Sequence, residues 1–214
     1  MFKKTILYML VLGAFGFGTF TTKVSAQETQ LLSYNAPEDF LRSFVNEILN
    51  FVSYKDLSAE ELEKKLIMSS QKYFDFKRIS KVVLSRHYKS FSPAQFDEFV
   101  NYFTTLAAKQ LVALLKKEGT DLSEVSIKDF QVIESVEKKG HVRYKAKTDV
   151  ILNPGAPELT ILVRVLEKQS DNTYQIVDIV IANVSLILNS RNIYGDMLSK
   201  VGGDVDQFLA DLKK

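Results

Sequence analysis

Asp178 stands in the middle of the apolar run YQIVDIVIANV, Tyr174 to Val184. An unpartnered carboxylate buried there would be costly, so it points outward, pairs with a cation or serves a pocket. Tyr144 is a second polar group of the pocket type. An enzyme built on a cone-shaped α+β scaffold would rest on these two, and a third group to orient or activate them is missing. The two histidines, His87 between Arg86 and Tyr88 and His141 after Lys-Lys-Gly, have no metal-ligand spacing around them. The chain contains no H-E-x-x-H, no G-x-S-x-G, no phosphate-cradling glycine loop and no calcium-loop spacing. With no cysteine, thiol chemistry, lipoprotein acylation and disulfides are excluded. No catalytic residue, metal ligand or cofactor site is assigned, and the chain is not read as an enzyme.

The other chemically suggestive stretch is YFDFKRISKVVLSRHYKSFSP, Tyr73 to Pro93, where aromatic rings alternate with Lys77, Arg78, Lys81, Arg86 and Lys89. Rings and cations together can bind nucleic acid, lie near anionic lipid or form a core helix with a solvated face. The amino terminus decides against nucleic acid. MFKKTILYMLVLGAFGFGTFTTKVSAQ has basic Lys3 and Lys4, a short apolar run and the small-x-small pattern Val24-Ser25-Ala26, which reads as an export signal over residues 1–26 cleaved after Ala26. The apolar run falls short of the roughly 20 residues a membrane span needs. Removing that leader takes Lys3, Lys4 and Lys23 from 28 basic residues, leaving 25 against 26 acidic ones, and nucleic-acid binders carry a basic excess. Residues 27–214 form one domain, long enough to bury a sizeable core without disulfides.

The elements that position these side chains follow from periodicity. Phe40, Leu41, Phe44, Val45, Ile48, Leu49 and Val52 recur every three or four residues after Pro37, which predicts a helix. Ser58 with Glu61 is a capping-box pattern ahead of Leu62, Leu66 and Ile67. Asp75 caps a third helix that buries Ile79, Val82 and Val83, and Ser92-Pro93 with Gln95 starts a long fourth one ending near Gly119. Its inward positions are Phe96, Phe99, Val100, Phe103, Leu106, Ala107, Leu111 and Leu114.

Beyond Gly119 the period falls to two. Val142, Tyr144, Ala146, Thr148 and Val150 alternate with charged residues, and Leu159, Ile161, Val163 and Val165 repeat the pattern after the turn Asn153 to Pro157. An earlier strand near Phe130 to Val136 joins through Lys138-Lys139-Gly140. The apolar run from Tyr174 is expected to form a central strand or one covered on both faces, followed by short helices over Asn192 to Val201 and Asp204 to Leu212. The order predicts an α+β fold, its amino-terminal helices packed on an antiparallel sheet of roughly four strands. The many phenylalanines either fill a core or wall an apolar cavity, and composition alone leaves both open.

Two segments resemble the MlaC family, also called the toluene-tolerance auxiliary proteins. FDFKRISKVVLSRHYKSFSPAQFDEFVNYF, Phe74 to Phe103, is similar to the family pattern V-L-x-x-x-Y-x-x-x-[ST]-P-x-Q, here Val83, Leu84, Tyr88, Ser92, Pro93 and Gln95. YQIVDIVIANVSLILNSRNIY, Tyr174 to Tyr194, is similar to W-x-x-x-D-x-x-x-x-G-V-S-[LM], with Asp178, Val184, Ser185 and Leu186 in place. Tyr174 replaces the family's Trp, and Asn183 replaces a Gly, so a tighter or shifted bend is expected there.

The resemblance implies a monomeric periplasmic carrier that encloses a phospholipid, acyl chains inward, between helices and sheet. Such carriers pass lipid between an outer-membrane lipoprotein complex and an inner-membrane ABC transporter complex and maintain outer-membrane asymmetry; a related branch handles hopanoid or other polycyclic lipid. On this reading Phe76, Ile79, Val83, Phe99 and Phe103 line the cavity from the helices. Val142, Tyr144, Ile161, Val163, Val184 and Leu186 line it from the strands. Phospholipid is cargo, not a cofactor. At about 0.8 kcal/mol per methylene, a chain of about 16 carbons resists entering water by on the order of 12 kcal/mol, so tails must be enclosed while the head group needs few contacts.

Overall fold

The computed structural model describes residues 34–52, 57–115, 125–151, 157–170 and 172–213. The expected export signal, the helix stop at Gly119 and nearly all of the Asn153 to Pro157 turn lie outside them, as do the side chains of Val52, Leu111 and Leu114.

Among the described residues four helices come first. Helix α1, Pro37–Val52, begins with Pro37, Glu38 and Asp39, a proline and two acids suited to the positive end of the helix dipole. Helix α2, Ala59–Tyr73, starts at the expected capping box: the Glu61 N–H donates to Ser58 Oγ at 3.2 Å and the Ser58 N–H to Glu61 Oε2 at 3.0 Å. Asp75 accepts the Arg78 N–H at 2.9 Å and opens α3, Phe76–Leu84, which passes at Ser85 into a 3-10 turn, Ser85–Ser90. A second box, with the Ser92 N–H donating to Gln95 Oε1 at 2.9 Å, opens α4, Pro93–Leu115. Two inward assignments fail. Val82 is 44% exposed because Ile79, Val83 and Leu84 fill the buried stripe of the short α3, and on α4 Ala108 rather than Ala107 is buried as the stripe turns around the axis.

Among the described residues the sheet strands pair antiparallel and number six: β1 Ser126–Ile127, β2 Gln131–Lys138, β3 His141–Ile151, β4 Leu159–Lys168, β5 Thr173–Ile181 and β6 Val184–Ser185. Four are long, matching the expected number, and two are residue pairs. Both β1 and β2 pair with β3, after which the order is β4, β5, β6. Lys139 and Gly140 turn β2 into β3 with φ of 51° and 73°, the positive pair a tight two-residue hairpin requires. The β3–β4 register sets Tyr144 opposite Val165, Ala146 opposite Val163 and Thr148 opposite Ile161, so the alternating positions do share one inward face.

Strand β5 lies between β4 and β6. Among the described residues β6 pairs with its outer side at Val180 and Ile181, and the chain entering α3 meets the same side at Ile176: Phe74 bridges Ile176 in parallel and the Asp75 N–H reaches the Ile176 carbonyl at 3.4 Å. Its apolar sequence reflects this cover and the helices that contact it. The run read as one strand also folds in two. Ala182 and Asn183 take φ of 49° and 66°, β6 turns back on β5, and helix α5, Leu186–Lys200, begins six residues before the expected Asn192. Asn tolerates this left-handed conformation at the position where the family pattern has Gly. A last helix, α6 Val205–Asp211, is capped by Asp204.

The buried side chains fall into three clusters. One unites α3, α4, α5 and α6 around Val83, Phe99, Leu198 and Phe208. A second lies between the inward sheet face and α1 around Phe40, Leu41, Tyr73, Val163, Val165 and Ile176. A smaller third joins the end of α1 to α2 and α4 through Phe51, Leu62, Leu66, Ala108 and Val112.

Candidate functional site

Alternation from Tyr174 and Ile176 would carry Asp178 to the inward face. A β-bulge between the partners of Arg164 and Val165 inserts one residue, and Asp178 instead lies opposite Arg164 on the other face. There Arg164 Nη1 donates to Asp178 Oδ2 at 2.6 Å, Ser185 Oγ donates to the same oxygen at 2.7 Å, and the Ile187 N–H donates to Oδ1 at 3.2 Å. Ser185 Oγ in turn accepts the Leu188 N–H at 3.1 Å. Asp178 therefore pairs with a cation and receives the free amide end of α5. Its role is to hold that helix on the sheet, and the enzyme reading loses its carboxylate.

Tyr144 does lie on the inward face, but its hydroxyl donates to the buried Glu167 at 2.5 Å. Burial, then the hydrogen bond and charge of Glu167, push this phenol far up, so it stays protonated. Tyr174 is pushed up to about 12 by burial and by the same carboxylate.

The expected site residues separate into groups. Ile79, Val83 and Phe99 are buried in the helical cluster, with Phe76 and Phe103 half-buried against it. Val163 is buried in the sheet cluster, with Tyr144 and Ile161 half-buried against it, and Val142 is half-buried further along β3. The remaining two sit at the β6–α5 junction: Val184 is exposed, and Leu186, the first residue of α5, is half-buried.

Phe74 packs against both clusters and was not among the assigned residues. It belongs to a row of rings crossing the interior. From Tyr174 the row runs to Phe40 at 5.8 Å between centroids, Tyr73 at 5.6 Å, Phe44 at 5.2 Å, Phe74 at 5.4 Å and Phe76 at 5.5 Å. The spacing of Phe40 and Phe44 on one face of α1 was the available signal; their meeting with Tyr73 and Phe74 is tertiary.

The row is fixed at its α1 end by hydrogen bonds. Tyr73 Oη donates to Glu47 Oε2 at 2.7 Å, which leaves Ser43 Oγ, 3.1 Å away, as the donor to Tyr73, while Tyr34 Oη donates to Ser43 at 3.0 Å. Lys72 Nζ reaches the other Glu47 oxygen at 3.0 Å. Burial alone would raise the Glu47 carboxyl, but these bonds and the Lys72 charge hold it below its usual range.

The fold and these inward faces define an α+β protein with an aromatic-lined interior, whose most conspicuous carboxylate has a structural role. No described helix is long and apolar enough to cross a membrane. The chain belongs to the MlaC family: the family model described as MlaC protein matches residues 42–214. A solved structure described as the phospholipid-binding protein from Ralstonia solanacearum in complex with a phospholipid shares the fold, with a TM-score of 0.61 and 18% identity over 83% of this chain and 98% of that one. Among curated proteins none matches.

Proposed function

We propose that this protein is a periplasmic carrier of phospholipid, holding acyl chains between its helices and the inward face of its sheet. The observation that carries the reading is the divided interior. Phe44, Phe74, Phe76, Phe103 and Ile161 pack against the clusters yet stay only half-buried, whereas a close-packed domain would enclose such side chains. Apolar side chains that stay partly exposed beside these clusters are surface for an apolar cargo to cover. Membership of the MlaC family and the phospholipid named with the Ralstonia structure favour acyl chains as that cargo.

The carrier is a monomer freed into the periplasm by cleavage after Ala26. It passes lipid between an outer-membrane lipoprotein complex and an inner-membrane ABC transporter complex, and so maintains outer-membrane asymmetry. It catalyses no reaction and needs no cofactor. Solvent extraction of protein purified from its native compartment, followed by mass spectrometry, should recover phospholipid. Repeatedly lipid-free preparations would overturn the reading, and a polycyclic lipid in the extract would change the cargo while keeping the carrier.

A further inference from the structure

Helix α3 and the turn after it concentrate charge that a lipid-holding interior does not use. From Phe76 to Phe96 the chain has Lys77, Arg78, Lys81, Arg86 and Lys89 and no acid. Taking these five from the 25 basic residues of 27–214 leaves 20 against 26 acidic ones, so this stretch is a positive region on an otherwise negative chain.

All five cations are exposed. On α3, Lys77, Arg78 and Lys81 share with Val82 the side facing away from the buried Ile79, Val83 and Leu84. Ser85 turns the chain with a φ of 51°, and Lys81 Nζ lies 5.2 Å from the centroid of the Tyr88 ring and 5.8 Å from that of Phe96. The turn that carries Arg86 and Lys89 therefore lies beside the α3 stripe. Lys77 reaches Asp97 at 3.3 Å and Arg78 reaches Asp75 at 3.0 Å, pairs whose cations stand in solvent, where such contacts are weak. Lys81, Arg86 and Lys89 pair with no carboxylate among the described residues: Lys81 meets rings, and Arg86 Nε donates to His87 Nε2 at 3.3 Å.

We propose that this face docks on an anionic lipid surface. The cations are strung along a stripe instead of converging on one point, so they match phosphates spread over a plane better than a single soluble anion. Val82, 44% exposed among them, adds apolar contact, and interfacial segments combine basic and apolar side chains in this way. Lysine, three of the five cations, is depleted in protein–protein interfaces, which disfavours an acidic protein as the partner. The contact also orients the molecule, because the negative remainder is repelled by the same lipid. It does not depend on what the interior holds.

Flotation of the full mature protein with vesicles tests the proposal. Vesicles of phosphatidylcholine with about 30% phosphatidylglycerol should carry the protein upward, vesicles of phosphatidylcholine alone should not, and salt at about 0.3 M should release it. Arg86→Gln with Lys89→Gln, both at the surface, should keep the wild-type unfolding temperature and weaken binding about twentyfold, from about fivefold per cation at an anionic surface. Lys138→Gln with Lys139→Gln, at the β2–β3 hairpin, removes the same charge elsewhere and should leave binding unchanged. Failure of the wild type to float with the anionic vesicles overturns the proposal without any variant, and leaves an acidic protein as the partner of this face. Equal loss in the two double variants also overturns it, since net charge and not this face would then be responsible. Either result leaves the lipid extracted from the protein unaffected, and the carrier reading stands.

Discussion

The Arg164 guanidinium lies 2.6 Å from the Asp178 carboxylate, on the sheet face opposite the aromatic row, and the same carboxylate accepts from Ser185 and from the backbone of α5. Strand and helix are joined there by charge-assisted bonds. Removing one partner of a buried pair costs about 3–5 kcal/mol, but Arg164 is half-exposed and the pair is correspondingly weaker. Asp178→Ala should therefore lower stability by about 2 kcal/mol in urea titration. Asp178→Asn, which keeps an acceptor for Ser185 or Ile187, should cost about half that. Bound lipid should be unchanged in whatever fraction remains folded; a stable Asp178→Asn protein that lost its lipid would put the carboxylate at the cargo.

Val163 and Ile161 lie two residues apart on the inward face of β4, and they should respond differently to the same change. Val163 is 3% exposed among fully packed neighbours, so Val163→Arg buries an unpaired charge and should prevent folding. Ile161 is half-buried, and Ile161→Lys can extend its stem and charge toward open space. Its circular dichroism should stay near wild type while extracted lipid falls several-fold. Wild-type lipid content in Ile161→Lys would place the cargo elsewhere.

Stability should fall in acid partly through Glu47. Its folded value lies below the ordinary one, so the stabilisation is full above about pH 4.3 and is lost as pH drops through the folded value. Lys72 is substantially exposed, which limits the contribution to under about 1 kcal/mol. Denaturant midpoints between pH 6 and pH 3 should decline less steeply in Glu47→Gln than in the wild type. Parallel declines would mean that Glu47 contributes nothing in acid.

If the protein carries lipid as proposed, its interior opens for loading, and the helices meet the sheet through side chains whereas the long strands are held by backbone ladders. Phe74 and Ile176 pair across the boundary between the entry to α3 and β5. In a chain without cysteine, Phe74→Cys with Ile176→Cys can form a single cross-link there. The oxidised double variant should exchange lipid more slowly than its reduced form. Equal rates would place the moving boundary away from this edge.

What the sequence revealed was local. Ser58 with Glu61 and Ser92 with Gln95 form their boxes from neighbours three residues away, and the faces of β3 and β4 follow from a period of two. The bulge beside Asp178 left no such trace, since YQIVDIVI alternates equally well with or without one extra residue. The start of α5 was hidden for a related reason. Leu186, Ile187 and Leu188 extend an apolar run that reads as strand, and the helix begins there because Ser185 and Asp178 satisfy its first amides, an arrangement assembled across β5. For the aromatic positions, helix periodicity gave the face of each element. Whether opposing faces close on one another depends on the distance between layers, which no local pattern encodes; so Phe99 is enclosed while Phe103, one turn on, stays half-buried.

The register of β2 against β3 shifts between Val132 and Glu134. The outer edge of β2 has no strand partner among the described residues, and a straight apolar edge would offer a template for another copy of the chain. Ile133 is the extra residue where the β2–β3 register shifts, and it is 51% exposed. The irregularity bends the strand, while Glu134, Glu137 and Lys138 place charge along the remaining length. The edge is therefore poorly shaped for strand-to-strand stacking, which protects the protein from fibrous self-assembly at the place where its sheet ends.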